Sequence, residues 1–239
     1  MYCSQFNVEI YLGRKGSMIV CKDSNEEIWF RFFGQSSFAE YSTVAESSVV
    51  NVSQMLQSDD ELSLFAPLGC GFQTGMGAVV NVAKAGSQIR SCKTIIAVDR
   101  FPSRLELATT LRATHTVNTM IPDFDFQQAV RDISPTGVSV TIDTTGVGSL
   151  IEEALQSLSP MGKMVHRAST PPGYKPSLDI TDLLTSGKTI TGCIEGNRIS
   201  NEMIQWYREG RFPIDKLVTY FPASEFGKAL AKPALRWKE

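Results

Sequence analysis

Asp99 is the first residue past an apolar, β-branched run, Thr94-Ile95-Ile96-Ala97-Val98. At the carboxyl end of a strand in an open parallel sheet, a carboxylate can accept both hydroxyl hydrogens of an adenosine ribose. It repels a 2′-phosphate, and so favours NAD over NADP. Arg104, on the first turn of the helix expected next, is placed to meet the same ribose or phosphate. Spacing leaves a second role open for Asp99, as a strand-end turn or helix-capping carboxylate. A phosphate cradle of the G-x-G-x-x-G kind should lie roughly 20 residues before that acid, between a strand and a helix. The one candidate is Gly75-Met76-Gly77-Ala78-Val79-Val80, with Val80 in place of the third glycine. Its lead-in, Gly71-Phe72-Gln73-Thr74, does not read as a strand. The chain has two histidines, His115 and His166. His115 falls on an expected strand, where packing is the simpler role.

The elements that must position these groups follow from periodicity. Up to about residue 50, short β-prone runs (Ser17 to Cys21, Ile28 to Phe33, Phe38 to Val44) alternate with Gly and polar breakers, the pattern of irregular β structure. Ala78 to Ala83 reads as a buried helix. Strands are then expected at Thr94 to Val98, Thr114 to Asn118, Val138 to Ile142, Lys163 to His166 and Thr189 to Ile194. Helices are expected at Arg104 to Leu111, Phe124 to Ile133, Ser149 to Leu158 and Ser200 to Arg211, the first capped by Ser103 with Glu106 completing a capping box. Strands separated by such helices imply right-handed crossovers and a doubly wound parallel sheet, an α/β fold.

The 239 residues are 42% hydrophobic and 20% charged, an ordinary globular balance. Lys+Arg 23 against Asp+Glu 25 gives a net charge of -2. That speaks against a nucleic-acid binder, which needs a basic excess. No apolar run approaches the roughly 20 residues that span a bilayer, and the first residues lack the basic leader and apolar core of a secretory signal. The five cysteines are odd in number and widely spaced, which favours free thiols and a cytoplasmic location.

Three segments together resemble the zinc-dependent medium-chain alcohol dehydrogenases, most nearly their aryl (benzyl-type) branch. They are Gln35-Ser36-Ser37-Phe38-Ala39-Glu40-Tyr41, Leu68-Gly69-Cys70-Gly71-Phe72-Gln73-Thr74-Gly75 and Ile95-Ile96-Ala97-Val98-Asp99. Ser103 to Ala108, Asp215 to Thr219 and the tail Lys232 to Trp237 match as well. The resemblance implies an incomplete GroES-like β domain over residues 1–66 and a Rossmann-like domain over 67–195. Residues 196–239 would then return to the catalytic domain. It implies zinc and NAD as cofactors, a small-molecule alcohol or aldehyde as partner, and a homo-oligomer. It makes Cys70 the third zinc ligand and Thr74 to Ala83 the helix joining the domains, so that Gly75 and Gly77 serve a close helix approach. Thr74, Asp99, Arg104 and His166 would face the cofactor, the last where the family usually has a small residue near nicotinamide. Cys21, Cys92 and Cys193 read as small buried hydrophobes.

Three parts of the family pattern are missing: the segment before Tyr2 with the other zinc ligands, the first Rossmann strand–turn–helix, and a short connection at Ala231-Lys232. The second loss falls where Gly86 to Arg90 runs into Ser91 to Thr94. The implied reaction is NAD-linked interconversion of an aryl or other hydrophobic primary alcohol and its aldehyde, with the chain on its own expected to be inactive. Two other readings accompany it: a non-catalytic paralogue that pairs with an intact relative, and a zinc-free reductase of the same superfamily.

Overall fold

The computed structural model describes residues 18–20, 22–29, 44, 46, 49–84, 92–196 and 200–225. The chain divides into two compact units, 1–58 and 59–239. In the first, β1 (Met18–Val20) pairs antiparallel with β2 (Glu27–Trp29). Asn25 takes a left-handed conformation (φ 57°) in the turn between them, where a short polar side chain is tolerated. These strands overlap two of the three expected β runs. The third, Phe38 to Val44, lies outside the described residues except for Val44, as does Gln35 to Tyr41.

The second unit opens with α1 (Asp60–Phe65), a 3-10 turn (Ala66–Gly69) and α2 (Gly71–Gly77). A π turn, Ala78–Val82, continues α2, and Ala83 N–H bonds back to the Ala78 carbonyl at 2.8 Å. The glycine-rich stretch is therefore helix, as the family resemblance implied. Alternation then follows: β3 (Ile96–Asp99), α3 (Pro102–Thr110), β4 (His115–Asn118), α4 (Phe126–Ile133) and β5 (Val138–Asp143). After these come α5 (Gly148–Gln156), β6 (Leu158–His166), α6 (Ile180–Ser186), β7 (Thr189–Gly192) and α7 (Ser200–Arg208).

Two expectations need correction. The capping box at Ser103 does not form: Phe101 takes the N-cap position and Pro102 the first turn, without a side-chain cap. Proline's fixed φ presets that turn, so the helix begins before Ser103. The second correction is an addition: periodicity assigns no helix over residues 180–186, although the ends of α6 carry clear signals. Asp179 accepts the N–H groups of Thr181 and Asp182, and Gly187 closes the helix at φ 64°, the usual left-handed stop.

All sheet pairs of the second unit are parallel, but they form two sheets, β3–β4 and β5–β6–β7. Ile96 and Val98 of β3 pack on the same apolar cluster as β6, α4 and α5, built on Phe126, Val130, Ile151, Leu155 and Met164. Both sheets thus share one core, yet no described strand joins the free edge of β3 to that of β5. The interruption falls where the resemblance lacks its first Rossmann strand; residues 85–91, which lead towards β3, lie outside the described residues. Alternation along β6 sends Met164 into that cluster and Val165 to the opposite face, against Ala78, Ala83 and Cys193. Helices therefore cover both faces of the three-stranded sheet. Phe65 meets Tyr207 edge to face at 5.5 Å, and Arg208 forks onto the Glu61 carboxylate, docking α7 on α1.

Candidate functional site

In an open parallel sheet, ligands gather beyond the carboxyl ends of the strands. Two carboxylates end strands there. Asp99, half-buried, closes β3. Its Oδ1 accepts the Phe101 N–H at 2.9 Å and its Oδ2 a guanidinium N–H of Arg104 at 3.2 Å. Of the two roles considered for Asp99, the turn-organising one is seen, since it holds the turn into α3 and pairs with Arg104. A carboxylate has about four acceptor positions, so two remain for ribose hydroxyls. Arg100 and Arg104 both lie over the Phe101 ring, 4.7 and 4.8 Å from its centroid, within cation–π range.

The second carboxylate, Asp143, closes β5 and is 5% exposed. Its Oδ1 accepts the N–H (3.0 Å) and hydroxyl (2.7 Å) of Thr145, and its Oδ2 the Gly146 N–H at 3.3 Å. Oδ2 also meets Nδ1 of His166 at 2.8 Å. Asp143 and His166 are register partners on neighbouring parallel strands, which puts both side chains on one face. Sequence reasoning picked out His166 and missed Asp143. The available signal was the one that found Asp99, a carboxylate just past a β-branched run.

Cys70, exposed, stands between the 3-10 turn and α2. Its carbonyl accepts both the N–H and the hydroxyl of Thr74, at 2.9 and 2.8 Å. The Thr74 hydroxyl proton is therefore engaged within the helix, and Thr74 itself is buried. No hydrogen bond or ion pair among the described residues links Cys70 to Asp99 or His166. A catalytic zinc needs three protein ligands and an open position. Among the described residues, no group of three His, Cys, Asp or Glu side chains could hold a metal. Cys70 is a single candidate donor, and that set does not by itself fit zinc.

His115, expected to pack, is exposed at the start of β4, with Nδ1 2.9 Å from the Thr114 hydroxyl. Of the thiols read as buried, Cys193 is buried and Cys92 is exposed; Cys21 lies outside the described residues. Burial pushes the Cys193 thiol up, against smaller downward pulls from the Gly196 backbone and the Arg167 charge. A raised pKa and lost access both suppress thiolate attack. Iodoacetamide at pH 8 should therefore modify Cys70 and Cys92 while sparing Cys193 until urea unfolds the chain, as read by peptide mass spectrometry.

Gly77 is the close approach implied for the glycine pair. A Cβ there would lie 2.1 Å from the Gly196 carbonyl oxygen, whereas one at Gly75 would meet nothing within 4 Å. Among the described residues, no helix is long and apolar enough to cross a membrane.

Residues 75–209 match the family model for zinc-binding dehydrogenases. The fold is similar to that of an alcohol dehydrogenase zinc-binding domain protein from Burkholderia ambifaria, with TM-score 0.84 and 31% identity over 98% of this chain and 68% of that one. Benzyl alcohol dehydrogenase from Acinetobacter calcoaceticus aligns with TM-score 0.81 and 30% identity, covering 96% of this chain and 67% of its own. Geraniol dehydrogenase from Castellaniella defragrans is 27% identical over 83% of this chain, which spans 58% of that enzyme's length. With its model matched over more than half of the residues and a 31% identical structure aligned along nearly all of them, this chain belongs to the zinc-binding dehydrogenase family.

Proposed function

We propose that the chain is an NAD-linked oxidoreductase of the alcohol dehydrogenase type, interconverting an aryl or other hydrophobic primary alcohol and its aldehyde. The observation that carries this reading is Asp99, a half-buried carboxylate at the carboxyl end of a parallel strand within the family's matched region. The likeness to benzyl alcohol and geraniol dehydrogenases supports a hydrophobic alcohol. In this reading Asp99 accepts the adenosine ribose hydroxyls, Arg104 holds the carboxylate in place, and His166 flanks the nicotinamide end. Thr74 contributes packing and its remaining acceptor lone pairs. NAD supplies the hydride acceptor. Zinc enters the proposal through the family, with Cys70 as one ligand.

The division into 1–66, 67–195 and 196–239 belongs to this proposal, as do a cytoplasmic location and a homo-oligomer. Exposed Met161, Ile180 and Leu184, with Ile190 on the edge strand β7, favour the last, since exposed large apolar side chains suit interaction sites. The test is absorbance at the NADH band when purified protein, NAD and benzyl alcohol or geraniol are mixed. Alcohol-dependent NADH formation would show that the chain works on its own; no turnover with NADH still bound fits the expected inactivity of this partial chain, and failure to bind NADH as well removes the reading.

Replacing Asp99 with alanine should weaken NADH binding about tenfold, the loss of charge-assisted hydrogen bonds worth about 1.5 kcal/mol. NADPH should bind the variant no worse than it binds the wild type, because the repulsive carboxylate is gone. Fluorescence titration with both dinucleotides checks this. Equal losses for the two would leave Asp99 only its turn-organising role.

A further inference from the structure

Two arginines share one aromatic ring at the carboxyl end of β3. The guanidinium carbons of Arg100 and Arg104 stand 4.7 and 4.8 Å from the Phe101 centroid. Their circumstances differ. Arg104, half-buried, is bonded to Asp99 Oδ2 at 3.2 Å, so its charge is set against that carboxylate. Arg100 is exposed, and among the described residues no carboxylate pairs with it. The Phe101 N–H is bonded to Asp99 Oδ1 at 2.9 Å, so ring, carboxylate and both cations belong to one turn. A ring offers a guanidinium no lone pair in its plane, so the N–H donors of Arg100 stay available to an anion. Two guanidiniums against one carboxylate leave a positive charge in excess at this turn. Pro102 then opens α3 with no side chain capping it, and the positive end of the helix dipole adds to the same field.

We propose that Arg100 makes this turn a 2′-phosphate site, so that the chain accepts NADP as well as NAD. This rests on the reading of Asp99 as the ribose acceptor given above. In that reading the adenosine ribose lies against Asp99, and its 2′ oxygen is the atom at which the two dinucleotides differ. A phosphate there brings about −1.5 to −2 of charge next to the carboxylate. Asp99 alone would reject it. Arg104 offsets the charge of Asp99, however. Arg100 adds a free donor fork one residue along the chain, a group that phosphate oxygens accept in pairs. Asp99 therefore secures NAD through the ribose hydroxyls, while Arg100 sets how much of the penalty against NADP is left. Arg104 is a positioning residue, acting through the carboxylate that it holds.

Binding alone tests this, with no turnover required. The full chain is titrated with NADH and NADPH by fluorescence, and with adenosine 2′-monophosphate by ligand-observed NMR. NADPH should bind within about tenfold of NADH, the remaining difference being the repulsion from Asp99. Arg100→Gln should weaken NADPH and adenosine 2′-monophosphate about five- to tenfold, the loss of one exposed charge-assisted contact. NADH should stay within about twofold of wild type in that variant, since it carries no 2′-phosphate. Arg100→Lys, which keeps the charge and loses the fork, should fall between. Added KCl should weaken NADPH more steeply than NADH in the wild type, and the two alike in Arg100→Gln. Wild-type NADPH binding about a hundredfold weaker than NADH, or worse, overturns the proposal. So does an Arg100→Gln protein that loses both dinucleotides equally. If adenosine 2′-monophosphate binds through Arg100 while neither dinucleotide binds, the phosphate site stands and the dinucleotide reading fails. If NADH alone binds, that reading stands and Arg100 makes no phosphate site. Binding of none of the three removes both.

Discussion

Gly77→Ala should abolish cooperative folding of the second unit, or lower its stability by more than about 3 kcal/mol, at the upper end of overpacking costs. The added methyl would sit 2.1 Å from the Gly196 carbonyl oxygen and 2.5 Å from its carbon. Those are backbone atoms, so no rotamer change relieves the clash. Gly196 is itself held at φ 59°, and its carbonyl accepts the Asn81 amide at 2.8 Å. Moving it away breaks that bond and lifts Cys193 from Ala78, Ala83 and Val165. Gly75→Ala is the matched control. A methyl there meets nothing within 4 Å, and alanine in a helix gains up to about 1 kcal/mol over glycine. Urea unfolding followed by circular dichroism should therefore move the two midpoints in opposite directions. A Gly77→Ala protein as stable as wild type would remove the close approach as a fold determinant.

What the sequence reveals of this fold is set by how local each signal is. β-branched runs such as Ile95 to Val98 and Val138 to Ile142 settle as strands within a residue or two, because their propensity and burial agree. The first turn of α3 depends instead on competition between Ser103 as a cap and Pro102 as a preset start, and proline wins by conformation rather than by hydrogen bonding. The α6 helix hides because seven residues with none buried give little periodicity to read. Asp99 is legible since its role depends on one strand end. The Asp143–His166 contact joins residues 23 apart through parallel register. Register is fixed only when a crossover helix packs. Equally nonlocal is the split between β3 and β5: the resemblance located the lost strand, but that both halves still pack on one shared cluster emerges only from tertiary structure.

Asp143→Ala is expected to cost about 3–5 kcal/mol, the range for removing one partner of a buried, charged network. The carboxylate is 5% exposed and satisfies two backbone N–H groups, one hydroxyl and one imidazole nitrogen. Truncation strands all four donors at once. Thr145 is exposed and can turn its hydroxyl to water, whereas Gly146 is buried and its N–H cannot, so an unmade bond there keeps its full desolvation cost of about 1–3 kcal/mol. Asp143→Asn should cost less, about 1–2 kcal/mol, because the amide oxygen still accepts from the turn. Thr145→Val, which removes the hydroxyl that donates to Asp143 and accepts the Val147 N–H, should cost about 1 kcal/mol, since exposed Val147 can turn its N–H to water. The order Ala, Asn, Val in urea midpoints separates a network anchored on the carboxylate from one spread along the turn. If Asp143→Ala unfolds within 1 kcal/mol of wild type, the aspartate does not anchor this end of the sheet, and the orientation of His166 must come from its packing alone.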